Sequence, residues 1–245
     1  MARPIALILL LGLLVAGFSA GAQAPIRSDL TAVDVSTYPW SSVAKLNNSV
    51  GQSCTAVVID QDKVLTAAHC IFNRRTGRFL PPASLHVLLG YERGKYAVHA
   101  LVDGYTVGSG YDPEKKLATL SSDWTILKLI ESLPAAIRPL KLCEGKPSQG
   151  DQLVMASYAW GRRHVLTADK ECQLLREDQS RLLFENNCMG AQGSSGAPVL
   201  IANGVSVCVL GVQVAMEKGA NAPRMIAVSA GRIRKETAEA RASQK

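Results

Sequence analysis

The sequence predicts an all-β protein in two halves, followed by a short α-helix at the carboxyl end. From Trp40 onward the apolar residues form short runs of strand length, and Gly, Asp, Asn and Pro separate these runs. The runs stop near residue 130 and resume near residue 152, so a connection around residues 131–141 divides the two halves. Helical patterning is confined to residues 231–241, where charged side chains predominate.

The predicted strands follow one another with polar turn formers between them, as in the segment NRRTGR at residues 73–78. The clearest strands of the first half are the runs at residues 55–59, 63–66, 85–89, 96–102 and 124–129. Those of the second half are the runs at residues 152–156, 181–184, 197–201, 205–214 and 225–228. Only 5% of the residues are aromatic, so Val, Leu, Ile and Ala must fill the core.

The chain of 245 residues is long enough for one large all-β unit or for two small packed domains. Its net charge of +7 comes from basic residues that are scattered without interleaved aromatic residues. This distribution argues against a nucleic-acid partner. The sequence has no Cys-x-x-Cys or His-Glu-x-x-His spacing, so we expect neither a metal site nor a cofactor.

The first 22 residues have the organisation of a signal peptide. A basic start precedes an apolar run at residues 5–18, and small residues follow up to Ala22. We expect cleavage after Ala22 rather than after Ala24, which would leave a proline at the new terminus. The apolar run is shorter than the roughly 20 residues that a membrane-spanning helix needs. The mature protein is therefore expected to be secreted or periplasmic, without stable membrane association, and residues 23–38 form an N-terminal extension.

Six cysteines follow the signal peptide: Cys54, Cys70, Cys143, Cys172, Cys188 and Cys208. An even number of cysteines in an oxidising compartment favours three disulfide bonds over metal binding or redox chemistry. Six cysteines can pair in about fifteen ways, so their number alone leaves the pairing open.

Three segments contain the residue types of a nucleophilic hydrolase. They are LTAAHC at residues 65–70, SDWTIL at residues 122–127 and QGSSGAP at residues 192–198. A serine hydroxyl is a poor nucleophile until an imidazole accepts its proton. A buried carboxylate holds that imidazole in the correct tautomer. We assign these three roles to Ser195, His69 and Asp123.

Other histidines and aspartates fit these roles less well. The alternatives are His86, His99 and His164 for the base and Asp103 and Asp112 for the acid. The first two histidines lie inside alternating strands, and the third follows two arginines in a predicted loop. Both alternative acids lie in glycine-containing loops, whereas Asp123 immediately precedes an apolar strand, where a carboxylate is shielded from water.

The glycines beside Ser195 supply a second part of the chemistry. Gly193 and Gly196 permit a tight backbone that points successive N–H groups into one concavity. The N–H groups of Gly193 and Ser195 are therefore the candidates for an oxyanion hole. The neighbouring Ser194 is expected to be a turn serine that bonds its own backbone.

With these motifs the chain resembles the chymotrypsin-like (trypsin-fold) serine peptidases over residues 35–230. The segments TAAHC at residues 66–70 and GSSGAP at residues 193–198 are similar to the family's histidine and serine motifs. Asp123 with its trailing apolar strand is similar to the aspartate motif.

The resemblance implies an all-β fold of two packed six-stranded antiparallel β-barrels with a short C-terminal α-helix. The first barrel would comprise residues 39–130 and would supply the histidine and the aspartate. The second barrel, at residues 131–245 with the helix, would supply the serine. The three side chains would then meet in the cleft between the barrels.

The resemblance also implies a Cys54–Cys70 disulfide bond, which would brace the histidine. Cys172 and Cys188 have the same separation in sequence, 16 residues, and a bond between them would bracket the approach to the nucleophile. This choice leaves Cys143–Cys208 as the third bond, although the spacing does not settle these last two pairs.

The chain departs from the animal digestive members of the family. Those members have an aspartate before the nucleophile that pairs with a newly freed N-terminus, whereas this chain has Ser194 there and no activation sequence of the Arg-Ile-Val-Gly-Gly kind. In this respect it is more similar to the bacterial secreted branch, which includes the glutamyl endopeptidases. The resemblance places the specificity pocket at Met189 and Gln213, so no carboxylate is available there for Arg or Lys.

The sequence therefore predicts a secreted serine endopeptidase, monomeric, that cleaves polypeptides through an acyl-enzyme intermediate. An esterase of the α/β-hydrolase fold is disfavoured, because it would have the order Ser, Asp, His and a Gly-x-Ser-x-Gly motif, whereas Ala197 stands at the second glycine. The remaining alternative is a catalytically weak or inactive protease-fold module that binds peptides or surfaces.

Overall fold

The computed structural model describes residues 30–203, 206–217 and 223–242. The predicted signal peptide at residues 1–22 and the first part of the predicted extension lie outside the described residues. Within the described part of the chain, no helix is both long and apolar enough to span a membrane.

The first half of the chain forms a closed antiparallel barrel. Its strands in chain order are β1 (Thr31–Ala32), β2 (Val43–Asn48), β3 (Ser53–Asp60), β4 (Lys63–Thr66), β5 (Phe72–Asn73), β6 (Arg78–Phe79), β7 (Leu85–Leu89), β8 (Val98–Val107) and β9 (Thr125–Leu129). The barrel has the order β2-β3-β4-β9-β8-β7. Strands β5 and β6 form a separate hairpin outside the barrel.

The second half forms another barrel and ends in a helix. Its elements are β10 (Gln152–Ser157), β11 (Thr167–Asp178), β12 (Leu183–Asn186), β13 (Pro198–Asn203), β14 (Ser206–Glu217), β15 (Arg224–Ser229) and α1 (Ala230–Ala242). The strands close in the order β11-β10-β13-β14-β15-β12, because β12 also pairs with β11. The short strand β1 pairs with the start of β11 and so joins the N-terminal residues to this barrel. The predicted fold class is confirmed.

Besides the two-residue strands β1, β5 and β6, two strands of the barrels, β2 and β11, were absent from the predicted set, because polar residues interrupt their apolar runs. In β2 the side chain of Lys45 is buried and its Nζ donates to the carbonyl oxygen of Arg163 at 2.6 Å. In β11 the buried carboxylate of Asp169 accepts the backbone N–H of Glu171 at 3.0 Å and that of Met189 at 2.8 Å. Partners from distant parts of the chain therefore allow polar residues to occupy interior positions.

The apolar core continues across the boundary between the barrels. Leu65 and Leu127 of the first barrel and Leu200 and Val228 of the second belong to one cluster of buried side chains. Ile233, which is fully buried, docks the otherwise polar helix α1 onto this cluster. Full burial of each such side chain stabilises the fold by roughly 1.5–3 kcal/mol, so the two barrels and the helix form one cooperative unit.

The barrels also meet through Thr55 of β3. Its Oγ1 donates to the carbonyl oxygen of Gly193 at 2.9 Å and accepts the backbone N–H of Tyr158 at 3.0 Å. Its backbone N–H donates to the carbonyl oxygen of Ser195 at 2.9 Å. All three partners belong to the second half, so Thr55 holds the segment that carries Ser195 against the first barrel.

Gly196 makes a close backbone contact at the same boundary. Its φ of +76° lies in the left-handed region, and its N–H donates to the carbonyl oxygen of Gln213 at 2.7 Å. A Cβ at this position would lie 2.0 Å from Thr66 Oγ1 and 2.3 Å from the carbonyl oxygen of Thr55. Both the conformation and the contact therefore require glycine.

Replacement of Gly196 by alanine is expected to destabilise the protein far more than the same change at Gly77. Gly77 has a similar φ of +65° but no atom within 4 Å of the added methyl group. We expect Gly77→Ala to lower the free energy of unfolding by about 1–2 kcal/mol and Gly196→Ala by at least about 4 kcal/mol. Denaturant unfolding of the two variants measures the difference, and equal losses would contradict the proposed inter-barrel contact.

Candidate active site

His69 lies just beyond the end of β4, in a single 3₁₀ turn formed by Ala68–Ile71. Its Nδ1 is 2.7 Å from Asp123 Oδ2, and its backbone N–H donates to Asp123 Oδ1 at 2.9 Å. An ionised carboxylate only accepts hydrogen bonds, so in the neutral ring Nδ1 carries the proton and Nε2 keeps a lone pair. One residue thus engages both oxygens of the carboxylate, and the orientation of the imidazole ring is fixed.

Asp123 is only 4% exposed and lies between the 3₁₀ turn Leu120–Ser122 and strand β9. Trp124, which is almost fully buried, follows it directly and anchors this part of the chain in the core. Burial, together with the nearby negative charge of Asp123, raises the pKa of Tyr111. The carboxylate therefore lies in a poorly hydrated environment, where its interaction with the imidazole is strong.

A disulfide bond between Cys54 and Cys70 braces the turn that carries His69. The two sulfur atoms and a ring nitrogen of His69 lie within 4.8 Å of one another. Because both sulfurs are bonded to each other, this group of side chains is a covalent support for the histidine and not a set of metal ligands. A loop of this length contributes about 3 kcal/mol in the chain-entropy view of disulfide stabilisation.

The other two disulfide bonds lie in the second half. They join Cys143 to Cys208 and Cys172 to Cys188. All three bonds are the pairs that the sequence analysis favoured, and no free cysteine remains among the described residues.

Ser195 lies in a tight turn between β12 and β13. The N–H of Ser194 donates to the carbonyl oxygen of Ala191 at 2.9 Å. The N–H of Ala197 donates to the carbonyl oxygen of Ser194, also at 2.9 Å. Gly193 has a φ of +96°, and a Cβ there would lie 2.5 Å from the carbonyl oxygen of Tyr158. The turn can therefore form only with glycine at this position.

The backbone N–H groups of Gly193 and Ser195 are available to a ligand. Within the described residues, neither group donates a hydrogen bond to a protein acceptor. Backbone donors next to a nucleophile are the groups that bind a developing oxyanion. The turn therefore has the chemistry expected of an oxyanion hole.

Ser194 points away from the cleft and is only 1% exposed. Its Oγ accepts the N–H of Ala191 at 3.1 Å and donates to Ser157 Oγ at 3.0 Å. The expectation that this serine bonds its own turn agrees with these contacts. Of the two adjacent serines, Ser195 is the one that lines the cleft.

The cleft between the barrels has a volume of about 300 Å³. The first barrel contributes residues 51–54, His69, Cys70 and Arg74, and the second contributes Tyr158, Trp160, Arg163, Gln192, Gly193 and Ser195. The candidate base, the candidate nucleophile and one candidate oxyanion donor therefore line the same cavity, although they are far apart in sequence.

The two residues expected at the specificity pocket, Met189 and Gln213, do not line this cleft. Gln213 is 2% exposed, and its Nε2 donates to the carbonyl oxygens of Ala215 at 2.7 Å and Ile226 at 2.8 Å. Its Oε1 accepts a hydrogen bond from Asn186 at 3.3 Å. Because this amide is already satisfied within the second barrel, it supports the strands there, and its role in specificity stays a prediction.

The remaining histidines lie in other surroundings. His86 and His99 contact each other on neighbouring strands, with a ring nitrogen separation of 2.9 Å. His164 Nδ1 is 3.0 Å from the hydroxyl of Tyr91. The sequence analysis missed the role of Thr55, for which its position directly after Cys54 was the only available signal.

Comparisons with known proteins identify relatives of this chain by sequence and by fold. The sequence profile described as Trypsin matches residues 31–231. Serine protease SP24D of Anopheles gambiae is 26% identical over 170 residues, which cover 62% of this chain and 59%, less than two thirds, of that protein. Trypsin eta of Drosophila melanogaster is 21% identical over 234 residues, which cover 82% of this chain and 83% of that protein.

Among solved structures, the Glu endopeptidase in complex with MPD has a TM-score of 0.72 and 20% identity. The match covers 88% of this chain and 99% of that one. At this identity the likeness shows the fold, and it is consistent with the expected similarity to the glutamyl endopeptidases. Because the family profile extends over most of the sequence, from residue 31 to residue 231, the chain belongs to the trypsin family of serine-type endopeptidases.

Proposed function

We propose that the protein is an exported endopeptidase in which Ser195, His69 and Asp123 form the catalytic triad. The observation that carries this proposal is the double hydrogen bond between Asp123 and His69 in a cleft that Ser195 also lines. A ring held in one orientation presents its second nitrogen reproducibly, which is the requirement for accepting a proton from a nearby hydroxyl.

In the proposed reaction, Ser195 Oγ attacks the carbonyl carbon of a peptide bond while His69 Nε2 accepts the hydroxyl proton. The carbonyl oxygen gains negative charge, and the N–H groups of Gly193 and Ser195 bind it. His69 then gives the proton to the leaving amine, the C–N bond breaks, and the acyl group remains on the serine. Water, deprotonated by the same imidazole, hydrolyses the ester and restores Ser195.

The environment of each group matches its proposed task. Asp123 is withdrawn from water, so its charge stabilises the imidazolium that forms when His69 takes a proton. An oxyanion-hole donor of the kind supplied by Gly193 typically lowers the barrier by about 3 kcal/mol. The turn that holds these donors is already bonded to the first barrel through Thr55, so no rearrangement is needed at the moment of reaction.

The proposed activity does not depend on inserting a charged N-terminus. The residue before the nucleophile, Ser194, is uncharged, and its hydroxyl is already bonded to Ala191 and Ser157. The turn that contains Ser195 is therefore supported by hydrogen bonds between uncharged groups of the second barrel. Three disulfide bonds further support the proposal that the protein works in an oxidising compartment.

A serine-reactive phosphonate is expected to label the wild-type protein at Ser195. Ser195→Ala should not react, whereas Ser194→Ala should still react because the hydroxyl of Ser194 faces the interior. Mass spectrometry of the labelled peptide identifies the site. A folded wild-type protein that does not react would favour the alternative of an inactive binding module.

Asp123→Asn is expected to lower kcat on a peptide substrate by roughly 10⁴-fold. The amide would donate to Nδ1, which would place the ring proton on Nε2 and prevent that atom from accepting the serine proton. The matched control is Asp112→Asn, since Asp112 caps its own loop through Glu114 and contacts Lys115 at the surface. Comparable losses in both variants would contradict the assignment of the acid.

A chain that begins at Leu30 is expected to cleave a peptide with a kcat/KM within about threefold of a chain that begins at Gln23. The reason is that Ser194 needs no charged terminus as a partner. Kinetic assays of the two purified forms measure the ratio. Activity in only one of the two forms would show that release of a particular N-terminus controls the site.

A further inference from the structure

The cleft extends from Ser195 past His69 toward the Cys54–Cys70 disulfide bond. Its lining does not include Met189 or Gln213, the residues expected at the specificity pocket. In the proposed reaction His69 delivers its proton to the leaving amine, which must therefore be next to the ring. The cavity beside the disulfide bond is thus the place where the substrate residues that follow the scissile bond would lie.

This cavity has an unbalanced positive charge. Its lining includes Arg74 from the first barrel and Arg163 from the second, but neither Asp nor Glu. Among the described residues, neither guanidinium lies within salt-bridge distance of Asp or Glu. Two arginines without an acidic partner in one cleft are candidates to bind a carboxylate.

Arg163 makes contacts through both its side chain and its backbone. Its guanidinium carbon lies 4.8 Å from the ring centre of Trp160, a side chain that lines the cleft and is 62% exposed. Its carbonyl oxygen accepts the hydrogen bond from Lys45, which is 4% exposed and lies 4.3 Å from the ring centre of Tyr91. This buried lysine ties the loop of the second barrel to the first and fixes the backbone of Arg163, while Trp160 packs against its guanidinium group.

Arg74 contributes charge from the opposite wall. It also lines a neighbouring surface cavity together with Glu114, Lys115 and Lys116. Burial, followed by repulsion from Arg74, lowers the pKa of Lys116. Basic side chains outnumber the one acidic side chain of this lining, so Arg74 adds to a net positive surface beside the cleft.

We propose that Arg74 and Arg163 form a subsite for an acidic side chain, Asp or Glu, within two residues after the scissile bond of a polypeptide substrate. This inference rests on the proposed endopeptidase function and names the substrate class that the same site prefers. The carboxylate binds between the two guanidinium groups, and the exposed face of Trp160 covers the methylene part of the side chain.

The test uses matched peptides that differ only at the first or second position after the scissile bond, with Glu, Gln or Lys there. For the wild type we expect kcat/KM to be at least about fivefold higher for Glu than for Gln, and lowest for Lys. In the double variant Arg74→Gln/Arg163→Gln, the ratio of kcat/KM for the Glu peptide to kcat/KM for the Gln peptide should fall to nearly one. The variant Arg163→Glu should cleave the Lys peptide with the highest kcat/KM of the three. Raising the salt concentration to about 0.5 M should lower this ratio for the wild type, because salt screens the attraction between the solvent-exposed arginines and the substrate carboxylate.

Arg75→Gln is the control, since Arg75 is an exposed neighbour that does not line the cleft, and its Glu-to-Gln ratio should equal that of the wild type. A wild-type ratio near one, or a preference confined to positions before the scissile bond, would overturn the inference. So would a ratio that persists in the double variant. If the peptides are cleaved and the phosphonate labels Ser195 but no preference is found, only the subsite is wrong. If neither cleavage nor labelling occurs, the subsite falls together with the proposed function.

Discussion

The hydrogen bonds of Thr55 keep the two barrels in one relative position at the point where the proposed nucleophile lies. The hydroxyl bridges Gly193 and Tyr158, and the backbone N–H holds the carbonyl oxygen of Ser195. Thr55 is fully buried, so water does not replace a lost partner, and each unsatisfied group would cost about 1–3 kcal/mol. A site divided between two barrels needs positions accurate to about 0.5 Å, and this contact supplies that constraint.

Each barrel fixes its own part of the candidate site through contacts within that barrel, and the contacts between the barrels bring the two parts together. In the first barrel, the disulfide bond and the Asp123 carboxylate together fix the ring of His69. In the second, two glycines with positive φ and the inward hydroxyl of Ser194 shape the turn around Ser195.

Much of the fold follows from local patterns in the sequence. Short apolar runs such as residues 55–59 predicted strands, because a strand that is buried on both faces needs consecutive apolar residues over a short length. The connection near residues 131–141 and the helix near residues 231–241 could also be predicted, since a loss of apolar runs and a helical pattern are both local features of the sequence. Strand β11 could not be predicted, because its polar residues are accommodated partly by distant segments, as when Asp169 accepts the N–H of Met189.

By itself the sequence determined the residue types of the site, since His69, Asp123 and Ser195 stand in short motifs whose composition reports their chemistry. Only the tertiary structure decided which of the adjacent serines lines the cleft, that the Gln213 amide is bonded within the second barrel, and that Arg74 and Arg163 line one cavity. The physical reason is distance along the chain. A motif reports interactions between neighbours in sequence, whereas burial, hydrogen-bond partners and electrostatic potential depend on residues that folding brings together from both barrels.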